Sequence, residues 1–210
     1  MSSADPGRVT PIALIDLGDT LADCTPALQA RLAEVAESDE RPAGDGPAAL
    51  AARLERCRSS ILSSPGFWCD LSPRPQGLAL LEMLRGAGFA VHVVTKGPYG
   101  APQVWADKVA WCRAHVPDLP VVVCDDKSRV HGHVLVDDWL PYVERWQRQW
   151  PEGLAIIPAQ PWNADPPAWF ADRCVRFDGG GHDREAVVLR PLRERLMALR
   201  ARIGAGEVRP

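Results

Sequence analysis

Short apolar runs alternate with stretches of helical period along the whole chain of 210 residues. "PIALIDL" (11–17), "FAVHVVT" (89–95), "LPVVVC" (119–124), "HVLVDD" (133–138) and "GLAII" (153–157) are short and rich in β-branched residues, so each predicts a buried strand. Between them the apolar positions recur every three or four residues. Leu28, Leu32 and Val35 follow a helix start at Thr25 and Pro26; Leu50, Leu54, Cys57 and Ile61 mark a second helix after the break "SDERPAGDGP". "SPRPQGLALLEMLRGAG" predicts a helix closed by Gly86 and Gly88, and a helix over 103–115 puts Val104, Trp105, Val109 and Cys112 on its apolar side. Trp139, Val143, Trp146 and Trp150 repeat at helical spacing, and the tail from Ala186 to about Arg202 reads as a basic helix with a solvated charged face. Alternating strands and helices predict an α/β fold, a doubly wound, mostly parallel sheet. The two helices between the first strand and the next unit predict a small helical cap over 24–70, leaving 1–23 and 71–210 as the core.

Composition narrows the partners. Twenty-four basic and 27 acidic residues give a net charge of −3, which supplies no field for a nucleic-acid polymer. No run approaches the roughly 20 apolar residues of a membrane span, and the first residues lack a signal-peptide pattern. Six cysteines without CxxC pairs suit free thiols in a reducing compartment, so the expectation is a cytoplasmic protein. A homodimer is compatible with the sequence and is not decided by it.

In an open parallel sheet the ligand sits beyond the carboxyl ends of the strands. Those ends carry Asp16, Thr95, Lys127 just past the third strand, and the pair Asp137 and Asp138. Each alone reads as a cap or loop residue. Together they form a set in which carboxylates can hold Mg²⁺ while a hydroxyl and an ammonium hold phosphoryl oxygens. An aspartate can also attack phosphorus directly.

The order of a lone Asp first and an acid pair last resembles the haloacid dehalogenase (HAD) superfamily. Within it the chain looks most like the 5′(3′)-deoxyribonucleotidases, which read approximately D-M-D-G-V-L-A-D where this chain has "DLGDTLAD". "GFWCDLSPRPQGLALLEMLRGAGFAVHVVT", "WADKVAWCRAHVP", "VVVCDDKSRVHGHVLVDDW", "LAIIPAQPWN" and "VVLRPLRERLMAL" continue the resemblance over nearly the whole chain. It implies a Rossmann-like HAD core with the cap inserted after the first strand, and a Mg²⁺-dependent phosphatase acting on a small phosphomonoester, most readily a nucleoside 5′-monophosphate. Asp16 is then nucleophile and metal ligand. Thr95 and Lys127 hold the phosphoryl group, the Gly18 carbonyl, Asp137 and Asp138 complete the metal site with Asp138 the preferred direct ligand, and Phe67 and Trp68 are candidates to contact a base. Lys96 and Tyr99 flank the phosphate loop.

The chain departs from the family where it matters most. Position 18 is glycine instead of the acid/base aspartate, and Asp19 occupies the family's glycine position. Asp19 is the candidate replacement. His133 and Asp125 also replace the family's Asp and Arg, with His133 better read as structural. Two other readings stay open: a catalytically impaired protein that binds a nucleotide or phosphometabolite, and an enzyme whose substrate needs no protonation of its leaving group.

Overall fold

The computed structural model describes residues 10–38, 47–165, 167, 173–178 and 189–208. The break at 39–46, the first residues of the last helix at 186–188 and the side chain of Leu50 lie outside the described residues.

Within them the chain runs β1 (Ile12–Ile15), α1 (Cys24–Ser38), α2 (Pro47–Leu62), α3 (Pro75–Gly86), β2 (Ala90–Lys96), α4 (Pro102–His115), β3 (Val121–Cys124), β4 (Val134–Val136), α5 (Leu140–Gln149), β5 (Leu154–Pro158), β6 (Cys174–Phe177) and α6 (Arg190–Gly204). Every pairing is parallel, in the order β3-β2-β1-β4-β5-β6. The α/β reading holds. β6 is an addition: "CVRF" is four residues long, joins the edge beside β5, and carries too little pattern to stand out.

Alternation along β1 splits the core in two. Ala13 and Ile15 pack on one face with Leu80, Leu84, Val104, Trp111 and Leu196, while Leu14 packs on the other with Leu135, Val143 and Trp146. Both faces are buried, as parallel sheets require. α6 contributes Leu192, Leu196, Leu199 and Ile203 to the first layer, so the basic tail helix has one face in the core and the other in solvent. On α4 the buried stripe is Val104, Lys108, Trp111 and Cys112; Trp105 and Val109 are only half-buried, which rotates the face from the expected one. On α2, Leu54 is exposed and does not join an apolar face.

Strand order reverses between β1, whose chain continues to β2, and β4, whose chain continues to β5. The crevice beyond those two strand ends is the switch point at which an open α/β sheet binds ligands. Two local features shape it. Gly77, in the first turn of α3, has no room for a side chain, because a Cβ would stand 1.9 Å from the Thr20 carbonyl oxygen. α3 therefore presses directly on the loop after β1. That loop is also pinned by Asp23 N–H to Ser72 O (2.9 Å) and Arg74 N–H to Leu21 O (2.7 Å).

Candidate active site

Asp16 directly follows β1, and its N–H donates to Val136 O at 2.9 Å, which ties it to β4. Asp137 directly follows β4. Parallel pairing of the two strands therefore brings the acids together: Asp16, Asp137 and Asp138 offer carboxylate oxygens within 4.8 Å of one another, and all three are buried.

Lys127 closes the group. Its side chain is almost wholly buried on a 3-10 turn (Lys127–Arg129) that Asp126 caps by accepting from Ser128 N at 3.1 Å and Ser128 Oγ at 2.7 Å. Nζ stands 2.6 Å from Asp16 Oδ1 and 2.7 Å from Asp137 Oδ2. Burial works against the ammonium, yet Asp137 and Asp16 outweigh it and raise the Lys127 pKa. Burial also raises both acids of the pair, eased at Asp137 by Lys127 and reinforced at Asp138 by the charge of Asp137. Burial and mutual repulsion disfavour the charged forms of Asp137 and Asp138. Crowded hard oxygen donors of this kind suit a divalent cation such as Mg²⁺, which would relieve that repulsion.

The two acids of the pair differ. Both oxygens of Asp137 are engaged, Oδ2 by Lys127 and Oδ1 by the Trp139 N–H at 2.9 Å. Asp138 accepts from Trp162 Nε1 at Oδ2 (3.0 Å), and the buried Thr20 hydroxyl stands at 3.5 Å from Oδ1.

Thr95 is buried near the end of β2, where its Oγ1 accepts from Lys108 Nζ at 3.2 Å. The sequence pattern does not single out Lys108 as a site residue. Its signal is its place in the Val104, Trp111, Cys112 stripe, since a lysine on a buried helix face must have a polar reason to be there. Only 6 % exposed, it also donates to Lys96 O at 2.8 Å and lies 3.8 Å from the centroid of the Trp68 ring. Burial lowers its pKa to about 8 against the pull of Asp16. An ammonium has no acceptor, so it must donate to Thr95 Oγ1, and the Thr95 hydroxyl proton is left free to point elsewhere.

Asp19 adopts the left-handed region, φ 53°. Its carboxylate accepts from Thr25 N at 2.7 Å and Thr25 Oγ1 at 2.8 Å. α1 begins at Cys24, one residue before the expected cap at Thr25, and Asp19 supplies an acceptor for its first turn from across the loop. Burial raises the Asp19 pKa, opposed by these two hydrogen bonds.

The remaining candidates separate from this centre. Phe67 and Trp68 are buried, packed edge to face at 5.7 Å between ring centroids. Trp68 gives its N–H to Leu62 O at 2.9 Å, and its six-membered ring stands 3.4 Å from where a Cβ on Gly18 would be. Both rings belong to the buried core, where the structure places the two aromatic candidates for base contact. Lys96 has an exposed side chain, with Nζ 5.5 Å from the Tyr142 ring centroid, and Tyr99 donates its hydroxyl to Asp125 at 2.9 Å. His133 lies at the opposite end of β4, its Nδ1 accepting from Ile12 N–H at 3.0 Å, a structural role.

The sequence matches the family described as "5′ nucleotidase, deoxy (Pyrimidine), cytosolic type C protein" over residues 10–164. No curated protein matches at a significant level. Among solved structures, a HAD-like family hydrolase from Xanthomonas campestris is 14% identical, with 95% of this chain and 100% of that chain covered and a TM-score of 0.48. A HAD-superfamily hydrolase from Ehrlichia chaffeensis is 7% identical, covering 90% and 98%, with a TM-score of 0.49. The matched span takes in Asp16, Thr95, Lys127, Asp137 and Asp138, and the chain belongs to this 5′-nucleotidase family of HAD-type phosphatases.

Proposed function

We propose that the protein is a Mg²⁺-dependent phosphatase that hydrolyses a nucleoside 5′-monophosphate through an aspartyl-phosphate on Asp16. The observation that carries this reading is the buried cluster of Asp16, Asp137 and Asp138 closed by Lys127 at the switch point of the sheet. Asp16, Asp138 and the Gly18 carbonyl would hold the ion, with Asp137 oriented by Lys127 and the Trp139 N–H behind them. When bound, the ion offsets the charge of the acids and of the incoming phosphate.

The chain's own groups carry the rest. Asp16 attacks phosphorus, and Lys127 donates to a phosphoryl oxygen together with the Thr95 hydroxyl. Lys108 leaves that hydroxyl's proton free for the task. Asp19 protonates the leaving 5′-oxygen and then takes a proton from the water that hydrolyses the aspartyl-phosphate. Such help contributes on the order of 10² to 10⁴-fold. Its bond to Thr25 links this step to the helices at 24–70, which act as the cap. Six free thiols fit a reducing, cytoplasmic setting.

The test is Mg²⁺-dependent phosphate release across nucleoside monophosphates and sugar phosphates, with an EDTA blank and Asp16→Asn. Release that vanishes in both controls supports the reading. Nucleotide binding by calorimetry without release from any substrate overturns it in favour of an impaired, binding-only protein.

A further inference from the structure

The nucleotidase reading requires a flat apolar surface for the base, and Phe67 and Trp68 do not offer one. They are 7% and 8% exposed, and the Trp68 ring is covered by the Lys108 ammonium on its face and by Gly18 at its edge.

Another indole stands at the mouth itself. Trp162 lies on the 3-10 turn Pro161–Asn163 that follows β5, at the carboxyl end of the sheet, and is 38% exposed. Its N–H donates to Asp138 Oδ2 at 3.0 Å, which fixes the ring directly beside the acid cluster. The turn is clamped to both acid-bearing loops: Gln160 Nε2 donates to Asp19 O at 3.0 Å, and buried Asn163 Nδ2 donates to Asp138 O and to Pro158 O, both at 2.9 Å. A reciprocal box within the turn, including Gln160 N–H to Asn163 Oδ1 at 2.9 Å, holds its shape. Trp162 is therefore a large aromatic ring whose polar edge is spent on the active site, whose turn is clamped by hydrogen bonds, and which keeps 38% of its surface open to solvent. Such a ring binds an aromatic base with little loss of its own conformational freedom.

Resting on the nucleotidase reading, we infer that Trp162 is the platform on which the base of the substrate stacks, so that the enzyme prefers nucleoside monophosphates over sugar phosphates. Stacking is indifferent to which base is presented, because every base has a π-face. The preference it creates is for a base over none.

The experiment compares kcat/KM for thymidine 5′-monophosphate and for 2-deoxyribose 5-phosphate, which share sugar and phosphate and differ by the base. In Trp162→Leu the ratio of the two values falls about tenfold, in line with the worth of one base–aromatic stack. In Trp162→Phe the ratio stays within about threefold of wild type, because the aromatic face remains while the N–H to Asp138 is lost. A residue that merely positioned Asp138 would lower both substrates together in both variants and leave the ratio unmoved, and that result overturns the inference while sparing the nucleotidase reading. A wild-type ratio near one overturns both. If neither substrate turns over, the nucleotidase reading falls, and base stacking on Trp162 stands or falls by the same ratio read from calorimetric Kd values.

Discussion

Trp68 is the nearest neighbour of a side chain at Gly18, with its six-membered ring 3.4 Å and 3.5 Å from the position of a Cβ there. The glycine that replaces the family's acid is thus matched by a neighbouring ring. A methyl group fits at that distance as ordinary contact. A carboxylate would add desolvation beside an indole held by Leu62, Phe67 and Lys108. Gly18→Ala should keep stability within about 0.5 kcal/mol, whereas Gly18→Asp should cost about 1 to 3 kcal/mol and lower activity. Urea melts of the two variants, with phosphate release alongside, check this. An active, stable Gly18→Asp would show that Trp68 yields and that the position is merely vacant.

Asp19 is asked to do two things, accept from Thr25 and exchange a proton with the substrate. Asn separates them, since it tolerates the left-handed backbone at φ 53° and still accepts one hydrogen bond, but cannot exchange a proton. Asp19→Asn should lose about 1 kcal/mol of stability and 10² to 10⁴-fold in kcat for thymidine 5′-monophosphate. Retained kcat would reduce Asp19 to a helix cap.

Lys108 trades stability for chemistry. Its folded pKa of about 8 lies below the ordinary 10.5, so the charged form is disfavoured in the fold. Lys108→Met should raise stability at pH 7 by about 2 kcal/mol while lowering kcat/KM about tenfold, because the Thr95 hydroxyl loses its partner. Between pH 8 and 10.5 the unfolded chain binds more protons than the folded one, so wild-type stability gains on the variant as pH rises. The variant's advantage should therefore be full below pH 8 and shrink across that window. Thermal melts at pH 7, 9 and 10 measure it, and an advantage that grows with pH would contradict the account.

The parts legible in the sequence were those with a strict positional logic. The grouping of Asp16, Asp137 and Asp138 was legible because strand ends in a parallel sheet must converge, and β1 and β4 bring their acids within reach as neighbours, with Lys127 bonded to two of them. Other parts depend on packing that the hydrophobic period does not encode. The roles of Trp68 and Trp162 are set by which ring is covered, and both are simply tryptophans near a turn in the sequence. Lys108 was hidden because a lysine on a helix is assigned to solvent by default, although its spacing from Val104, Trp111 and Cys112 places it inside. β6 is short enough to vanish among loop residues, and Thr25 lost its capping role to an acid six residues earlier.

A buried cluster with three acids and one ammonium should gain stability from a divalent ion. At one hundred times its Kd, Mg²⁺ should stabilise the fold by about 2.7 kcal/mol, seen as a rise in Tm. Asp138→Asn should remove most of that rise. An equal rise in the variant would take Asp138 out of the metal site.

The most direct test of the central claim is a rapid acid quench of the enzyme during turnover of thymidine 5′-monophosphate with Mg²⁺, followed by peptide mass mapping. A phosphoryl group is expected on the peptide that contains Asp16 and none in Asp16→Asn, which should also release no phosphate. Full phosphate release by Asp16→Asn, or a phosphoryl group found on another residue, would contradict it.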